Sequence, residues 1–156
     1  MKLERTYNHN LIHKTVITMI DDIIEDDTSY DCFVIDTEKE CWLKCTDDDE
    51  FVGLFQLIPF NRTVLEMHCY ILKEERNKSN LYAKKALEWF RDESPEMYKR
   101  VITSTPYIHI RKWLLKLGFE IEGCYKQSFT KNNERLDLYL FGIERGLIKD
   151  DLCRHS

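Results

Sequence analysis

Residues 63–72 read TVLEMHCYIL, an alternation of apolar and polar side chains that is typical of a β-strand. On such a strand Glu66, His68 and Tyr70 share one face. A carboxylate, an imidazole and a phenol in a row are costly to bury without partners, so these three side chains are the best candidates for a catalytic site. The opposite face carries Leu65, Met67, Cys69 and Ile71.

The segments on either side of this strand predict an α/β sheet with helices on both faces. Asn8 or Asn10 is placed to cap the first helix, and Gly118 is placed to end the last one. Residues 59–62 predict a hairpin turn, and residues 73–80 predict a long turn that leads into a helix. The predicted strands are 3–7, 32–35, 41–45, 51–58, 63–72, 101–103, 119–129 and 136–143, and the predicted helices are 10–24, 81–91 and 108–117.

Length and charge exclude several classes of protein. The 156 residues fit one domain, which we place at 1–145 with a polar tail at 146–156. The net charge of −5 argues against nucleic-acid binding. No apolar run is long enough to span a membrane, and no secretory signal opens the chain, so a cytoplasmic location with reduced cysteines is expected. His9 and His13 have metal-ligand spacing but lack a third ligand, so no metal site is expected.

Three stretches, in this order, resemble the GCN5-related N-acetyltransferase (GNAT) superfamily: Leu65–Leu72, Tyr82–Leu87 and Leu114–Phe119. The resemblance covers nearly the whole chain. It implies a single domain built on a mixed, mostly antiparallel sheet of about six or seven strands, with a splayed central pair. It also implies binding of acetyl-CoA and transfer of the acyl group to an unidentified amine.

More narrowly, the chain resembles GNAT-like proteins of tailed phages and prophages, some of them named as head-assembly proteins. The stretches that carry this resemblance are residues 1–7, the strand with Glu66 and His68, and residues 136–143. It implies the host cytoplasm as location and phage structural proteins as partners. A homodimer remains open, and no membrane or nucleic-acid partner is expected.

The resemblance assigns the cofactor to the start of the helix at residue 81. A turn that feeds a helix N-terminus offers backbone N–H groups and a favourable dipole to a pyrophosphate. The family signature, Arg/Gln-x-x-Gly-x-Gly/Ala, is altered here, because Lys78 replaces its first residue and Leu81 its first glycine. An exposed helix start with solvated lysines is the alternative. The implied cofactor-binding residues are Ile71, Leu72, Lys78, Ser79, Asn80, Leu81, Tyr82, Ala83 and Lys84.

The chemistry requires a base for the acceptor ammonium and a donor for the thioester carbonyl. By resemblance Glu66 is the base, with His68 as the alternative; the two could instead only satisfy each other. Tyr107 and Leu114 stand where the family often has an asparagine and a general-acid tyrosine. Two functions therefore stay open: an acyl-CoA-dependent N-acyltransferase, and a catalytically inactive GNAT-like protein that acts in head assembly or as a protein-binding factor.

Overall fold

A computed structural model describes residues 1–28 and 33–150 as a seven-stranded sheet with helices on both faces. The strand order is β1-β2-β3-β4-β5-β7-β6, and only the β4–β5 pair is parallel. The predicted α/β class is thus confirmed. The strands are β1 (Lys2–Arg5), β2 (Cys41–Asp47), β3 (Glu50–Pro59), β4 (Val64–Ile71), β5 (Arg100–Thr105), β6 (Glu120–Lys131) and β7 (Glu134–Glu144). The helices are α1 (His9–Ile17), α2 (Ile20–Ile23), α3 (Ser79–Glu93) and α4 (Ile108–Lys116), with 3₁₀ turns at Lys73–Lys78 and Arg145–Leu147.

Two apolar cores hold the helices to opposite faces of the sheet. On one face, Ile12 and Val16 of α1 pack with Trp42 and Tyr70 of the sheet. On the other, buried side chains of α3 and α4 pack over the strands in a larger core. The alternation along β4 therefore directs Tyr70 to the α1 face and Met67 to the face of α3 and α4.

The predicted first helix is broken into α1 and α2. Asn8 caps α1, because its Oδ1 accepts the Leu11 N–H at 3.0 Å, as predicted. The Thr15 hydroxyl then donates to the Leu11 carbonyl at 2.8 Å, and the Thr18 hydroxyl to the Thr15 carbonyl at 2.7 Å. Hydroxyls that bond back to their own helix weaken its regular bonding, which explains the end of α1 near residue 18.

The predicted end of α4 at Gly118 is confirmed. Gly118 has φ +98°, the Phe119 N–H donates to the Leu114 carbonyl at 3.1 Å, and the Gly118 N–H donates to the Leu115 carbonyl at 3.1 Å. This is the paired bonding of a glycine-terminated helix. The chain is then directed into β6, at the edge of the sheet.

Two predictions of local structure are wrong, and one is shifted in its boundary. Residues 33–35 form no strand; Phe33 and Ile35 pack on the α1-side core instead, and Cys32 lies outside the described residues. The long turn predicted at residues 73–80 is a 3₁₀ turn over Lys73–Lys78, and α3 begins at Ser79, two residues before the predicted start. Residues 146–150 are not a loose tail, because Ile148 is buried and its carbonyl accepts Arg91 Nη1 at 3.1 Å. None of the helices in the described ranges is long and apolar enough to cross a membrane.

Candidate functional site

The two parallel strands at the centre of the sheet separate after a short contact. Val64, Leu65 and Glu66 of β4 pair with residues 100–102 of β5, and the pairing stops there although both strands continue. A cleft of about 960 Å³ fills the gap. It is lined from the α1–α2 side by residues such as Met19 and from the α3–α4 side by residues such as Leu87, so it crosses the plane of the sheet.

Backbone groups of β4 face this gap. In an antiparallel pair, alternate residues direct both backbone groups to the same neighbour. The Leu72 N–H donates to the Val52 carbonyl of β3 at 3.0 Å, so this amide is already hydrogen-bonded within the sheet and points away from the gap. The backbone groups of Cys69 and Ile71 therefore face the gap, and both residues line the cleft. Of the two amides assigned by resemblance, only that of Ile71 is directed towards the cleft.

Glu66 and His68 form a bonded pair on the α1 face. His68 Nε2 lies 3.0 Å from Glu66 Oε1, and each side chain is 32% exposed. The hydrogen bond from His68 lowers the pKa of Glu66, against the opposing effect of partial burial, so this carboxyl is ionised at neutral pH. With the Nε2 proton directed to Glu66, Nδ1 of a neutral imidazole remains as a proton acceptor.

Tyr70 lines the same cleft, but its hydroxyl belongs to a buried network. It donates to Gln56 Oε1 at 2.8 Å, and Gln56 Nε2 donates to Glu40 Oε2 at 2.9 Å. The same carboxylate oxygen accepts Trp42 Nε1 at 3.1 Å. Burial and the nearby Glu40 charge raise the pKa of Tyr70, which stays neutral. Sequence reasoning missed Gln56, although a glutamine within an apolar strand signals a buried partner.

The predicted phosphate-binding stretch is a continuous helical segment. The Ser79 N–H donates to the Arg76 carbonyl, and no residue from 73 to 83 has positive φ. Lys78 Nζ pairs with Asp47 Oδ2 at 3.1 Å, and the wholly buried Tyr82 donates to Glu75 Oε2 at 2.8 Å. Among the residues assigned to the cofactor, those that line the cleft are Ile71, Ser79 and Ala83, and those that do not are Leu72, Lys78, Asn80, Leu81, Tyr82 and Lys84.

Residues around the wide end of the cleft include several without an assigned role. Arg76 lines it, and its Nη2 lies 3.6 Å from Asp22 Oδ2. Tyr107, at the start of α4, donates its hydroxyl to the Asp22 carbonyl at 3.2 Å. Ser104 lines the cleft, whereas the Thr105 hydroxyl accepts the Tyr107 N–H at 3.2 Å in the turn before α4. Asp22 thus links the β4 side of the gap to the β5 side.

Comparison with known proteins places the fold among acetyltransferases. No protein-family model and no curated protein sequence matches the chain. The structure is similar to that of spermidine N-acetyltransferase from Vibrio cholerae in complex with CoA and spermine, with 16% identity, a TM-score of 0.75, and coverage of 94% of this chain and 96% of that one. An N-acetyltransferase from Staphylococcus aureus Mu50 gives 13% identity, a TM-score of 0.66, and coverage of 92% and 97%. A GNAT-family acetyltransferase from Bacillus anthracis has 19% sequence identity and a TM-score of 0.56, and the match covers 69% of this chain and 67% of that one. The chain therefore has the GNAT fold.

Proposed function

We propose that the protein is an acyl-CoA-dependent N-acyltransferase that acts on an amine. The observation that carries this proposal is the gap that opens beyond Glu66 between two parallel strands, where His68 lines the cleft and is bonded to Glu66 behind it. The similarity to acetyltransferases of known structure supports the same assignment, and it supports an amine as acceptor.

The cleft fits the long arm of an acyl-CoA better than it fits the phosphates. Within the described part of the chain, the buried Trp113 Nε1 finds no acceptor, and Trp113 lines the cleft. A buried donor of this kind suits an amide oxygen of the arm. Phosphates would meet Arg76 and Ser79 at the start of α3, where the helix dipole favours negative charge. When bound, the cofactor supplies a thioester carbonyl that an amine can attack.

Glu66 and His68 would prepare the amine. His68 Nδ1 accepts a proton from the acceptor ammonium, and Glu66, bonded at 3.0 Å to the other ring nitrogen, stabilises the imidazolium that forms. Partial exposure of both side chains lets the proton pass on to solvent. Tyr70, held by Gln56, keeps the wall beside the pair fixed rather than moving a proton itself.

The proposal is tested by acetyl-CoA binding and by product formation. Calorimetry on the purified chain is expected to show micromolar affinity, and mass spectrometry to show an acetylated amine from a mixed panel. Replacing His68 with Asn is expected to lower kcat by about 100-fold or more, because a general base is lost. Affinity for acetyl-CoA is expected to be retained. Glu66→Gln removes the charge that stabilises the imidazolium and is also expected to lower kcat, whereas its matched control, Glu96→Gln on an exposed loop, is expected to leave kcat unchanged.

A second candidate is a protein-binding factor on the same fold without catalysis. The observation that favours it is the 3₁₀ turn before α3, where Lys78 is paired with Asp47 instead of being available for a phosphate. Acetyl-CoA that fails to bind at millimolar concentration would favour this candidate. The relationship to phage head assembly and the homodimer stay predictions.

A further inference from the structure

A guanidinium and a carboxylate meet at the end of the cleft where α3 begins. Arg76 of the 3₁₀ turn and Asp22 of α2 both line the cleft. Arg76 Nη2 lies 3.6 Å from Asp22 Oδ2, and the two side chains are 48% and 61% exposed. Of the lysines and arginines in the described residues 1–28 and 33–150, those that line the cleft are Arg76 and Lys131. An anion that enters beside α3 therefore meets a guanidinium that already has a carboxylate as its partner.

The backbone around Asp22 is held by bonds that do not involve its carboxylate. The Tyr107 hydroxyl donates to the Asp22 carbonyl at 3.2 Å. The Lys131 ammonium donates to the Ile24 carbonyl at 3.1 Å and also bonds to the Asp21 carbonyl. Because these bonds use backbone oxygens, they remain when the carboxylate loses its partner. The carboxylate can turn about its side-chain bonds, but its Cα stays beside the cleft.

The guanidinium of Arg76 is oriented by the end of β4. Its Nε donates to the Ile71 carbonyl at 3.5 Å, while Nη2 faces Asp22. A guanidinium binds carboxylate and phosphate through the same N–H groups and with similar geometry. Asp22 and a cofactor phosphate therefore compete for one cation. Lys78 of the same turn does not relieve this competition, because it is paired with Asp47 and does not line the cleft.

This step rests on the proposed function. We infer that Asp22 is a built-in competitor of the cofactor phosphates, which lowers the affinity for acyl-CoA by holding Arg76. A phosphate that binds Arg76 displaces the carboxylate, and the displaced carboxylate stays nearby as a like charge, since the backbone of Asp22 is held in place. The CoA product carries the same phosphates, so the same competition favours its release.

The expected size of the effect follows from the exposure of the pair. An exposed ion pair contributes little to binding or stability, and two like charges separated by water repel each other weakly. The two contributions act in the same direction, because Asp22 both occupies Arg76 and repels the phosphate that replaces it. Together they are expected to lower the affinity for acetyl-CoA by about three- to tenfold.

Calorimetry with three ligands tests the inference on the full chain. Acetyl-CoA and CoA carry the phosphates, whereas acetyl-pantetheine has the same thioester and arm without them. Asp22→Asn removes the charge and keeps the shape of the side chain. It is expected to bind acetyl-CoA and CoA about three- to tenfold more tightly than the wild-type chain does, and acetyl-pantetheine equally well. In an Arg76→Gln background the gain is expected to be at least about twofold smaller, because only the repulsion remains.

Asp47→Asn is the matched control. It changes the net charge by the same amount and separates a carboxylate from a cation of the same turn, because Asp47 pairs with Lys78 at 3.1 Å. Neither of these two residues lines the cleft. Asp47→Asn is therefore expected to change the affinity for acetyl-CoA by less than about twofold. Equal tightening by Asp47→Asn and Asp22→Asn would show an effect of net charge alone and would overturn the inference.

The outcomes separate the two proposals. Acetyl-CoA that binds the wild-type chain and the Asp22→Asn chain with equal affinity would overturn the inference while the proposed function stands. Equal tightening of acetyl-CoA and acetyl-pantetheine would also overturn it, since the carboxylate would then act on the arm and not on the phosphates. Failure of acetyl-CoA and acetyl-pantetheine to bind either chain at millimolar concentration would overturn the proposed function, and the inference would fall with it.

Discussion

The guanidinium of Arg145 ties the end of α3 to the segment that leads into β5. Its Nε and Nη2 donate to the Arg91 carbonyl at 2.9 and 2.7 Å, and Nη2 also donates to the Ser94 carbonyl at 2.8 Å. Nη1 donates to the carbonyls of Pro95 and Tyr98 at 2.9 and 2.8 Å. Since α3 and β5 both border the cleft, we expect replacement of Arg145 to weaken the framework of the site.

The magnitude follows from these five bonds. A hydrogen bond from a charged donor contributes about 1.5–3 kcal/mol, but water can replace part of it at a half-buried site. Arg145 also packs over the Phe90 ring at 5.2 Å, which adds about 0.5–1 kcal/mol. Counting full loss for about one bond and partial loss for the rest, we expect Arg145→Ala to lower the free energy of unfolding by about 3 kcal/mol. Arg145→Lys keeps the charge near the helix end but lacks the fork, so about half of that loss is expected.

Urea unfolding at pH 7, followed by circular dichroism, measures these differences. Arg135→Ala is the matched control, because Arg135 is exposed and donates a single bond, to the Gln127 carbonyl at 3.1 Å. It is expected to change the free energy of unfolding by less than about 0.5 kcal/mol. A loss below about 1 kcal/mol for Arg145→Ala would refute the reasoning, since the carbonyls would then be satisfied equally well by water.

Three further changes give distinct outcomes. Gly53→Ala places a Cβ 2.9 Å from a backbone Cα of β4 and is expected to lower the free energy of unfolding by about 2–4 kcal/mol. The Cβ of Gly142→Ala meets only the far ends of flexible side chains, so the expected loss is less than about 1 kcal/mol. Urea unfolding measures both. Gln56→Met leaves the Tyr70 hydroxyl buried without its acceptor and is expected to cost about 1–3 kcal/mol; adding Tyr70→Phe recovers part of the loss, and a purely additive double mutant would contradict the network. The hydrogen bond from the Asn133 N–H lowers the pKa of Asp26. This bond therefore stabilises the fold fully above the ordinary pKa of an aspartate, and the stabilisation is lost as the pH falls through the lowered pKa. Asp26→Asn is expected to lower the thermal midpoint at pH 7 but not at pH 2, and an equal effect at both pH values would argue against the bond.

Local patterns predict most of the elements because their causes are local. The alternation in residues 63–72 predicts β4, and it places Glu66 and His68 on one face, where the structure brings them within 3.0 Å. Gly118 predicts the end of α4 because its positive φ is tolerated by glycine. The break between α1 and α2 is harder to predict, since it depends on whether the Thr15 and Thr18 hydroxyls bond to the helix or to solvent.

The site beyond β4 depends on contacts that leave no local pattern. The acidic stretch at residues 21–27 is typical of a solvated helix end, yet Glu25 and Asp26 accept backbone N–H groups of the β6–β7 hairpin. The hairpin itself has a local pattern, because Asn132 and Asn133, between the predicted strands 119–129 and 136–143, are residue types that tolerate the positive φ that both adopt. Nothing within either segment identifies the other, so the contact of residues 25–26 with the hairpin could not be predicted from the sequence.

The partners of the basic residues before α3 could not be predicted from the sequence either. A local group of basic residues, among them Lys78, suits a polyphosphate as well as it suits carboxylates of the same chain, because the attraction depends on separation and not on the identity of the anion. In a chain with five more acidic than basic residues, a nearby carboxylate is the more available partner. Lys78 forms an ion pair with Asp47, and Arg76 forms one with Asp22. Both pairs are partly exposed and therefore weak. On the proposed function we expect a cofactor phosphate to displace the carboxylate from Arg76, which lines the cleft, whereas Lys78 lies outside it.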